Sequence, residues 1–327
     1  MRIIIYGIIL SILTAVNVYA DKTQDAIKYS NSLIDEQNKV AERFIELTQS
    51  FNNRNTKKIE SSLNNLKEQV TSSLKSIGRM KAFDGDGRFL QAMDTLFKFY
   101  MGLCENEFPE LLRIYKKNSI TLTENEMGTI DSIQVSIDKR ESPLVKEIDQ
   151  SQKEFARKYK FFIGKNRLEG QLDSLDKSNK LINAAIDYND SIVFLQAEFT
   201  RSLIAFSDNL QKNSNTDEVE TYFDKMKGIL ASCIQSLDKI RDFRGDYSFR
   251  NTSMEYFVSF KKLIEGDFAY FLELVKKKAG FSEEETKRYN ELVYSLPARI
   301  EDYEKKFIEG QKAFAVKYNI FLFKKFK

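Results

Sequence analysis

The stretch IESSLNNLKEQVTSSLKSIGRM, residues 59–80, decides the fold class. Its apolar residues recur at steps of four and three, the spacing that places them on one face of a helix packed in a bundle. VETYFDKMKGILASCIQSLDKI, residues 219–240, repeats the same steps. The chain has only three prolines in 327 residues, and no segment alternates apolar and polar residues as a half-buried strand does. The sequence therefore predicts an all-α protein.

These two stretches are parts of a longer internal repeat. Phe83-Asp84-Gly85-Asp86 returns as Phe243-Arg244-Gly245-Asp246, 160 positions later, and QKEFARKY at 152–159 returns as QKAFAVKY at 311–318. Segments that keep both order and spacing along the whole chain indicate a duplication rather than chance. We therefore expect two tandem four-helix bundles with up-down-up-down topology.

The extent of each predicted bundle follows from the repeat. The first is expected at residues 21–163 and the second at residues 171–327, with a short linker at 164–170 that contains two glycines. Both bundles then have the size of an ordinary domain.

Local signals place the helices inside each bundle. The fourth helix should begin at a capping box, Thr123-x-x-Glu126 in the first bundle and Ser282-x-x-Glu285 in the second. The third helix of the first bundle has one broad apolar face that runs from Phe89 to Tyr115. The three prolines fall inside helical patterns and should kink them. They are Pro109, Pro143 and Pro297.

The first twenty residues are expected to be a signal peptide outside the fold. Arg2 supplies a minimal positive region, residues 3–16 are almost wholly apolar, and Val18-Tyr19-Ala20 offers small residues where a signal peptidase needs them. A retained N-terminal anchor is the alternative, although a membrane-spanning helix needs about 20 apolar residues. We expect an exported protein in the periplasm, at the cell surface or outside the cell.

Asp84 and Asp86 pose the main question of chemistry, because two aspartates at this spacing can open a calcium loop. An EF-hand loop needs ligand oxygens at its fifth and twelfth positions and glycine at its sixth, where Arg88, Thr95 and Phe89 stand. A tight turn is the simpler interpretation, with glycine supplying the backbone geometry and the second aspartate capping the next helix. The sequence favours the turn and predicts no metal site.

Arg244-Gly245-Asp246 spells the tripeptide that integrins recognise and is the one candidate interaction site in the sequence. Recognition needs Arg244 and Asp246 to project outward together, whereas a capping aspartate turns toward backbone amides. The repeat has Asp84 in place of the arginine, so the turn does not need the arginine to fold. Integrin recognition is one hypothesis, and a helix cap is its alternative.

No residue pattern names a reaction. The chain has no histidine, which removes the commonest general base and a common metal ligand, and most Glu and Lys residues lie on the predicted outer helix faces. No phosphate loop, dinucleotide fingerprint or nucleophile elbow occurs. Cys104 and Cys233 lie on apolar helix faces, which favours buried free thiols, although a disulfide stays open for an exported protein. We therefore expect neither catalysis nor a cofactor.

The charge balance bears on the partner. The chain has 51 Lys and Arg against 48 Asp and Glu, which gives no electrostatic reason to expect nucleic acid. The C-terminal stretch FLFKKFK, residues 321–327, alternates aromatic residues with lysines. It could make a weak contact with an anionic surface such as lipid headgroups, or it could complement a helix end and stay solvated.

Several markers together resemble a known group of proteins. They are an FDG turn after the second helix, LFKFY at 96–100, a Thr/Ser-x-x-Glu start of the fourth helix and QKEFARKYKF at 152–161. The pattern is similar to uncharacterised exported all-helical surface proteins of bacteria, including the ErpY-like proteins of spirochaetes and helical lipoproteins. The resemblance implies a cell-surface protein, and some members of the group bind host proteins. This chain departs from it by having no lipid-anchor cysteine after the predicted signal peptide.

The sequence thus predicts a non-catalytic exported protein that acts as an interaction module at the cell surface or in the periplasm. Its partner would be a protein or another envelope component. The alternative is a carrier that holds an apolar ligand inside a bundle core rich in phenylalanine, of which the chain has 26. A hollow aromatic core would favour the carrier, and a filled core would favour the interaction module.

Overall fold

The computed structural model describes residues 21–117, 120–164, 168–212, 216–277 and 280–323. Almost all of these residues are helical, so the predicted all-α class is confirmed. The predicted signal peptide, residues 165–167 of the predicted linker and the last four residues of the C-terminal stretch lie outside the described residues. Within the described ranges, no helix is both long enough and apolar enough to cross a bilayer.

The chain forms two compact units. Unit 1 contains the described residues up to Asn183 together with the segment that starts at Phe321, and unit 2 is the continuous stretch Ala184–Ile320. The division falls inside a helix because the residues that follow the predicted linker at 164–170 group with unit 1. The bundle boundaries expected at 163 and 171 describe a sequence repeat and stay a prediction.

Unit 1 is a bundle of long helices. They are α1 (Asp21–Asn52), α2 (Thr56–Ile77), α3 (Arg88–Glu105), α4 (Glu107–Lys116), α5 (Glu124–Lys158) and the first turns of α6 (Glu169–Gln211). α2 packs against α1 and α3, and α3 packs against α5. Ile59, Leu66 and Val70 of the seam at 59–80 are fully buried, as the spacing predicts.

The predicted third helix of the first bundle is interrupted. α3 ends at Glu105, and Asn106 after it has φ −121° and ψ −72°, outside the helical region. Pro109 has no amide hydrogen to donate to the Glu105 carbonyl, and its ring crowds that carbonyl, so the helix restarts. Pro143 and Pro297 lie inside unbroken helices. Of the three expected distortions, only the one at Pro109 interrupts a helix.

A small sheet in unit 1 was not predicted from the sequence. β1 (Thr121–Leu122) pairs in parallel with β2 (Leu322–Phe323), and the Leu322 amide donates to the Ile120 carbonyl at 2.8 Å. Leu122 and Leu322 are 1% and 4% exposed. The start of the basic C-terminal stretch is therefore packed on unit 1, and it is not a solvated tail.

The same end of unit 1 is covered by a ring and by the start of α6. The Phe321 ring lies between the Arg54 guanidinium, 3.8 Å from the ring centroid, and the Tyr115 ring, 5.0 Å away. The Asn52 side-chain amide donates to the Asn179 side-chain oxygen at 2.8 Å. Chain segments that follow the first predicted bundle therefore complete its core.

Unit 2 is also helical. Its elements are the rest of α6, α7 (Thr216–Lys239), α8 (Ser248–Leu263), a π-helical turn (Ile264–Phe268), α9 (Ala269–Lys276) and α10 (Glu283–Lys317). α8 packs against α7 and α10. Phe199 is fully buried, and its ring centroid lies 4.9 Å from that of Phe260 and 6.1 Å from that of Phe257. Rings in mutual contact fill this part of the core.

Both predicted capping boxes are present. The Thr123 hydroxyl accepts from the Glu126 amide, and the Glu126 carboxylate accepts from the Thr123 amide at 2.9 Å. Ser282 and Glu285 make the same reciprocal pair. Each box satisfies two backbone amides that a helix start leaves unpaired, which fixes where α5 and α10 begin.

Candidate functional site

The predicted turn at residues 83–86 is a tight hairpin. The Asp86 amide donates to the Phe83 carbonyl at 2.9 Å, and Asp84 and Gly85 between them have φ angles of 52° and 79°. Two successive positive φ angles are the mark of a type I′ turn, and glycine adopts such an angle without steric strain. The turn and the role of Gly85 are as predicted.

The two carboxylates of this turn bind cationic side chains of the protein itself. Asp84 lies 2.7 Å from Lys22, and Asp86 lies 2.9 Å from Lys158 and 3.3 Å from Arg88. Hydrogen bonds from Arg88 and Lys158 lower the pKa of Asp86 to about 2. Throughout the described ranges, no group of three or more Cys, Asp and Glu side chains is arranged to hold a metal ion.

Arg244, Gly245 and Asp246 form the same type of turn in unit 2. Phe243 and Asp246 exchange backbone hydrogen bonds of 3.0 and 3.1 Å, and Arg244 and Gly245 have φ angles of 56° and 84°. The Arg244 side chain is exposed, but the Asp246 side chain is only 7% exposed. The structure brings the three predicted interaction residues together and presents only the arginine to solvent.

Asp246 is occupied by contacts with two helices. It accepts hydrogen bonds from Lys317 at 2.8 Å, from the Tyr318 hydroxyl at 3.1 Å and from the Ser248 amide at 2.9 Å. Burial alone would raise the pKa of Asp246, but these hydrogen bonds outweigh it and hold the pKa well below its usual range. Ser248 is the first residue of α8, and the N-cap position is Tyr247, whose side chain makes no cap hydrogen bond. Asp246 therefore binds the first helical amide from the residue before the N-cap, one position away from the expected cap.

Four aromatic rings lie behind each turn. They are Tyr29, Phe83, Phe155 and Tyr159 in unit 1 and Tyr188, Phe243, Phe314 and Tyr318 in unit 2. Phe83 and Tyr159 meet nearly edge to face with centroids 5.0 Å apart, and Phe243 and Tyr318 do the same at 4.8 Å. These rings anchor each turn to the last helix of its predicted bundle.

Four ion pairs recur at positions 159 or 160 apart in the sequence. In unit 1 they are Glu60–Lys116, Glu107–Arg140, Lys117–Glu126 and Asp86–Lys158; in unit 2 they are Glu220–Lys276, Asp267–Arg299, Lys277–Glu285 and Asp246–Lys317. Exposed ion pairs contribute little stability one by one. These four pairs are informative because they join aligned elements of the two units in the same way.

Unit 2 contains an apolar cleft between α7 and α8, with a volume of about 670 Å³. Leu230 and Ile264 form a buried floor, Ile234 and Met254 are half-buried walls, and Ala231 is exposed beside them. The rim is charged and consists of Lys227, Asp238, Lys261 and Glu265. An apolar floor with a few charged groups around it is typical of a binding site. We call this feature the α7–α8 cleft.

The aligned surface of unit 1 is bridged by an ion pair. Lys67 on α2 lies 3.3 Å from Glu105 on α3. The aligned residues of unit 2 are Lys227 and Glu265, and both line the α7–α8 cleft. Each of them pairs along its own helix instead of across the cleft.

Two substitutions between the repeats account for this difference. Lys227 lies 4.0 Å from Asp224, and Glu265 lies 3.8 Å from Lys261. The positions aligned with Asp224 and Lys261 are Asn64 and Met101, which carry no charge. Lys67 and Glu105 therefore have each other as partners, whereas Lys227 and Glu265 pair with neighbours on their own side of the α7–α8 cleft. A different ion pair joins the two helices at the rim, since Arg250 of α8 lies 3.0 Å from Asp238 of α7.

Two smaller clefts of unit 2 lie between α6 and α7, with volumes of about 550 and 290 Å³. Asp187 and Asp190 line the first, together with Phe194, which is 59% exposed. Glu198 and Arg201 line the second. The α7–α8 cleft is the largest of these three and has the most apolar side chains.

No sequence pattern pointed to Glu141, a buried carboxyl group in unit 1. Glu141 of α5 is 4% exposed and accepts a hydrogen bond of 2.8 Å from the Tyr100 hydroxyl. Burial raises the pKa of Glu141 to about 7, although the bond from Tyr100 opposes the shift. Glu141 lies four residues after Ile137 and seven before Ile148, both buried, so the seam spacing could have placed it inside.

Both cysteines are buried free thiols, as the sequence favours. Burial raises the pKa of Cys104 to about 12 and that of Cys233 to about 11. Thiols with such pKa values carry almost no thiolate at neutral pH and are poor nucleophiles. They act as small core residues of α3 and α7.

Comparison with protein-family models, with curated proteins and with solved structures found no match. The resemblance to exported helical surface proteins of bacteria therefore stays a prediction, and the case for function rests on the geometry of the two units.

Proposed function

We propose that this chain is a non-catalytic exported interaction protein whose two tandem four-helix bundles arose by duplication, and that unit 2 binds a partner protein through the α7–α8 cleft. The protein would act at the cell surface, in the periplasm or outside the cell. The observation that carries the proposal is the apolar α7–α8 cleft, where Lys227 and Glu265 do not pair with each other although the aligned Lys67 and Glu105 of unit 1 do.

Duplication is supported by contacts as well as by sequence. The type I′ turns, the aromatic rings behind them, the capping boxes and the four ion pairs recur at aligned positions. The main-chain distortions also coincide, since the break at Asn106 lies 160 positions before Gly266 in the π-helical turn. A duplicated module that keeps its frame and changes one surface is free to give that surface a separate role.

An amphipathic helix is the partner chemistry that the α7–α8 cleft fits. A groove between two helices accepts the apolar face of a third, and charges on both sides of the groove select its orientation. Lys227 and Lys261 would meet acidic residues of the partner, and Asp238 and Glu265 would meet basic ones. The side chains of Lys227, Lys261 and Glu265 are about half-exposed, and they can leave their present partners at little cost. Asp238 is also exposed, but it already pairs with Arg250 of α8.

A carrier of an apolar ligand is the second candidate, and one observation favours it. The volume of the α7–α8 cleft falls within the range of about 300–1,000 Å³ that is usual for ligand sites. The core of unit 2, in contrast, is filled by phenylalanine rings in mutual contact. An apolar ligand would therefore bind in the α7–α8 cleft and not inside the bundle.

Photo-crosslinking from the cleft tests the proposal. A benzophenone amino acid at Ala231 should yield a protein adduct of defined mass in cells that produce the chain, and Ile234→Glu should abolish that adduct. The matched control is the same label at Thr71, the exposed position aligned with Ala231 in unit 1, which should yield none. Adducts of equal yield from both positions, or from neither, would contradict the proposal. A lipid adduct at Ala231 instead of a protein adduct would favour the carrier.

A further inference from the structure

The segment before α10 is uncovered, whereas its counterpart before α5 is covered. Leu122 precedes the capping box of α5, lies in β1 beside β2 and is 1% exposed. Phe281 precedes the capping box of α10 and is 43% exposed. Two aligned residues further along these helices show the same contrast. Ile130 of α5 is 2% exposed, whereas Tyr289 of α10 is 36% exposed. Phe281, Tyr289 and Phe271 form a row of rings with centroids 5.9 and 5.3 Å apart. We call Gly280, Phe281 and this row the open edge of unit 2.

The segment after α5 leaves its helix as the segment after α10 does. Lys160 and Asn319 both have positive φ angles, 57° and 55°. The next residues are Phe161 and Ile320, whose amides both donate at 3.0 Å to the carbonyl five residues earlier. This geometry is that of a helix C-terminus closed by a left-handed residue. Residues 162–163 are therefore the structural counterpart of residues 321–322.

The two counterparts differ in what covers them. Phe321 is packed between Arg54 and Tyr115, whereas Phe162 is 83% exposed. The chain thus has two aligned segments, each following the last helix of a repeat, and two aligned edges. One segment and one edge pair with each other in unit 1, and the other segment and the open edge are uncovered within the described residues.

The charges beside the uncovered segment and the open edge are complementary. Arg157 and Lys160 flank the segment on its N-terminal side, and both are exposed. Glu283 and Glu284 follow the open edge in the first turn of α10, and both are exposed. Basic residues on one surface and acidic residues on the other favour encounter of these two surfaces over contact of either with itself.

We propose that two copies of this chain form a closed dimer in which Ile163-Gly164 of each copy pairs in parallel with Gly280-Phe281 of the other. The Phe162 ring would lie on the row of rings at the open edge, as Phe321 lies on Tyr115 in unit 1. Strand addition to an exposed edge supplies main-chain hydrogen bonds, and the flanking side chain supplies specificity. The inference rests on the proposed duplication, which relates residues 280–281 to β1 and residues 163–164 to β2. Two reciprocal contacts satisfy the preference of homo-oligomers for closed symmetry.

Sedimentation of the purified full chain, with its mass measured over a hundredfold range of concentration, tests the dimer. The wild-type chain should show twice the monomer mass, and Phe162→Asp and Phe281→Asp should each reduce it to the monomer mass. Val316→Asp removes an exposed apolar residue near the C-terminal end of α10, far from the open edge before the start of that helix. It should leave the dimer intact. All three positions are exposed, so circular dichroism should show unchanged helix content.

Mixing the two monomeric variants separates this contact from other ways of associating. Phe162→Asp keeps an intact open edge, and Phe281→Asp keeps an intact segment, so an equimolar mixture should regain dimer mass through one contact. The dimer should also weaken at least tenfold between 50 mM and 500 mM salt, because the flanking charges are exposed.

A monomer at all concentrations, or a dimer that neither substitution disturbs, would overturn the inference. A mixture that stays monomeric would overturn it as well, because the two variants together keep one intact segment and one intact open edge. The result is independent of the α7–α8 cleft. A chain with Phe281→Asp and the benzophenone label at Ala231 should still form the protein adduct if the proposed function is right. Failure of the dimer experiment therefore does not count against the proposed function, and failure of the crosslinking experiment does not count against the dimer.

Discussion

Replacing Glu141 by glutamine should remove a pH-dependent loss of stability in unit 1. Glu141 is 4% exposed and has a pKa raised by burial to about 7, whereas a glutamate in an unfolded chain has a pKa of about 4.3. Between these two values the folded state holds a proton that the unfolded state has lost. The free energy of unfolding therefore falls as the pH rises through this window and levels off above it.

The size of the effect follows from the two pKa values. The penalty for Glu141 grows from about 1 kcal/mol at pH 5 to between about 3 and 4 kcal/mol at pH 8. Glutamine keeps the shape of the neutral acid and can still accept the hydrogen bond from Tyr100. Between these pH values the variant should therefore gain between about 2 and 3 kcal/mol on the wild-type chain, which is roughly 70-fold in the equilibrium between the open and closed states of unit 1.

Neighbouring ionisable groups bear on this window. Burial also raises the pKa of Asp138, which lies one turn before Glu141 on α5. The chain has no histidine, the side chain whose ordinary pKa lies between pH 5 and 8. Asp86 and Glu126 both have pKa values lowered to about 2, mainly by hydrogen bonds from Arg88 and Lys117 respectively. Their stabilisation is complete above the unfolded pKa of about 4 and is lost only as the pH falls toward 2.

Hydrogen exchange measures the effect in the unit where it arises. Amides of α3 and α5 report the opening of unit 1 separately from unit 2. Comparing wild type and Glu141→Gln at one pH cancels the intrinsic exchange rates, and the ratio should grow roughly 70-fold from pH 5 to pH 8. Glu304→Gln is the control, because Glu304 accepts a 2.8 Å bond from Tyr256 but is only partly buried. A ratio for Glu141→Gln that is equal at pH 5 and pH 8 would refute the reasoning.

Other substitutions test the turns and the caps. Gly245→Ala should destabilise unit 2 by about 1 kcal/mol, because Gly245 has a positive φ angle. Gly228→Ala inside α7 should instead stabilise unit 2. Thermal melts in which Gly228→Ala melts below Gly245→Ala would contradict both expectations. Thr123→Ala should cost about 1 kcal/mol and speed exchange at the start of α5, and unchanged exchange there would count against the cap. Asp84→Ala should leave the melting temperature insensitive to calcium or chelator, as in the wild type. Integrin-bearing cells should adhere equally to wild type and Arg244→Ala, and a loss of adhesion would revive the tripeptide hypothesis.

Patterns that are local in the sequence predicted their structures correctly. The four-three spacing at 59–80 and 219–240 predicted buried faces of α2 and α7, because a helix face is fixed by residues within a few turns. The Thr123 and Ser282 boxes predicted helix starts because each box closes within four residues. Gly85 and Gly245 predicted positive φ angles for the same reason.

Features that depend on distant or competing partners were missed. The β1–β2 pair joins two-residue strands about 200 positions apart, and two residues are too few to show an alternating pattern. Glu141 was not singled out in the sequence, where most Glu residues were placed on outer faces, although its position lies on the buried seam. The α7–α8 cleft could not be foreseen from Lys227 and Glu265 alone. Whether these two residues pair with each other depends on the competing partners nearby, which are Asp224 for Lys227 and Lys261 for Glu265.

The pairing of β1 with β2 also sets a timetable for folding. Unit 2 is encoded as one uninterrupted stretch, but the last piece of unit 1 is made only after all of unit 2. A ribosome or a translocation channel that delivers the chain from its N-terminus would release α1 to α5 long before Leu322 exists to cover Leu122. Unit 1, whose synthesis begins first, is thus the last to be completed. Until β2 pairs with β1, the exposed edge of β1 is accessible to chaperones, proteases and neighbouring chains.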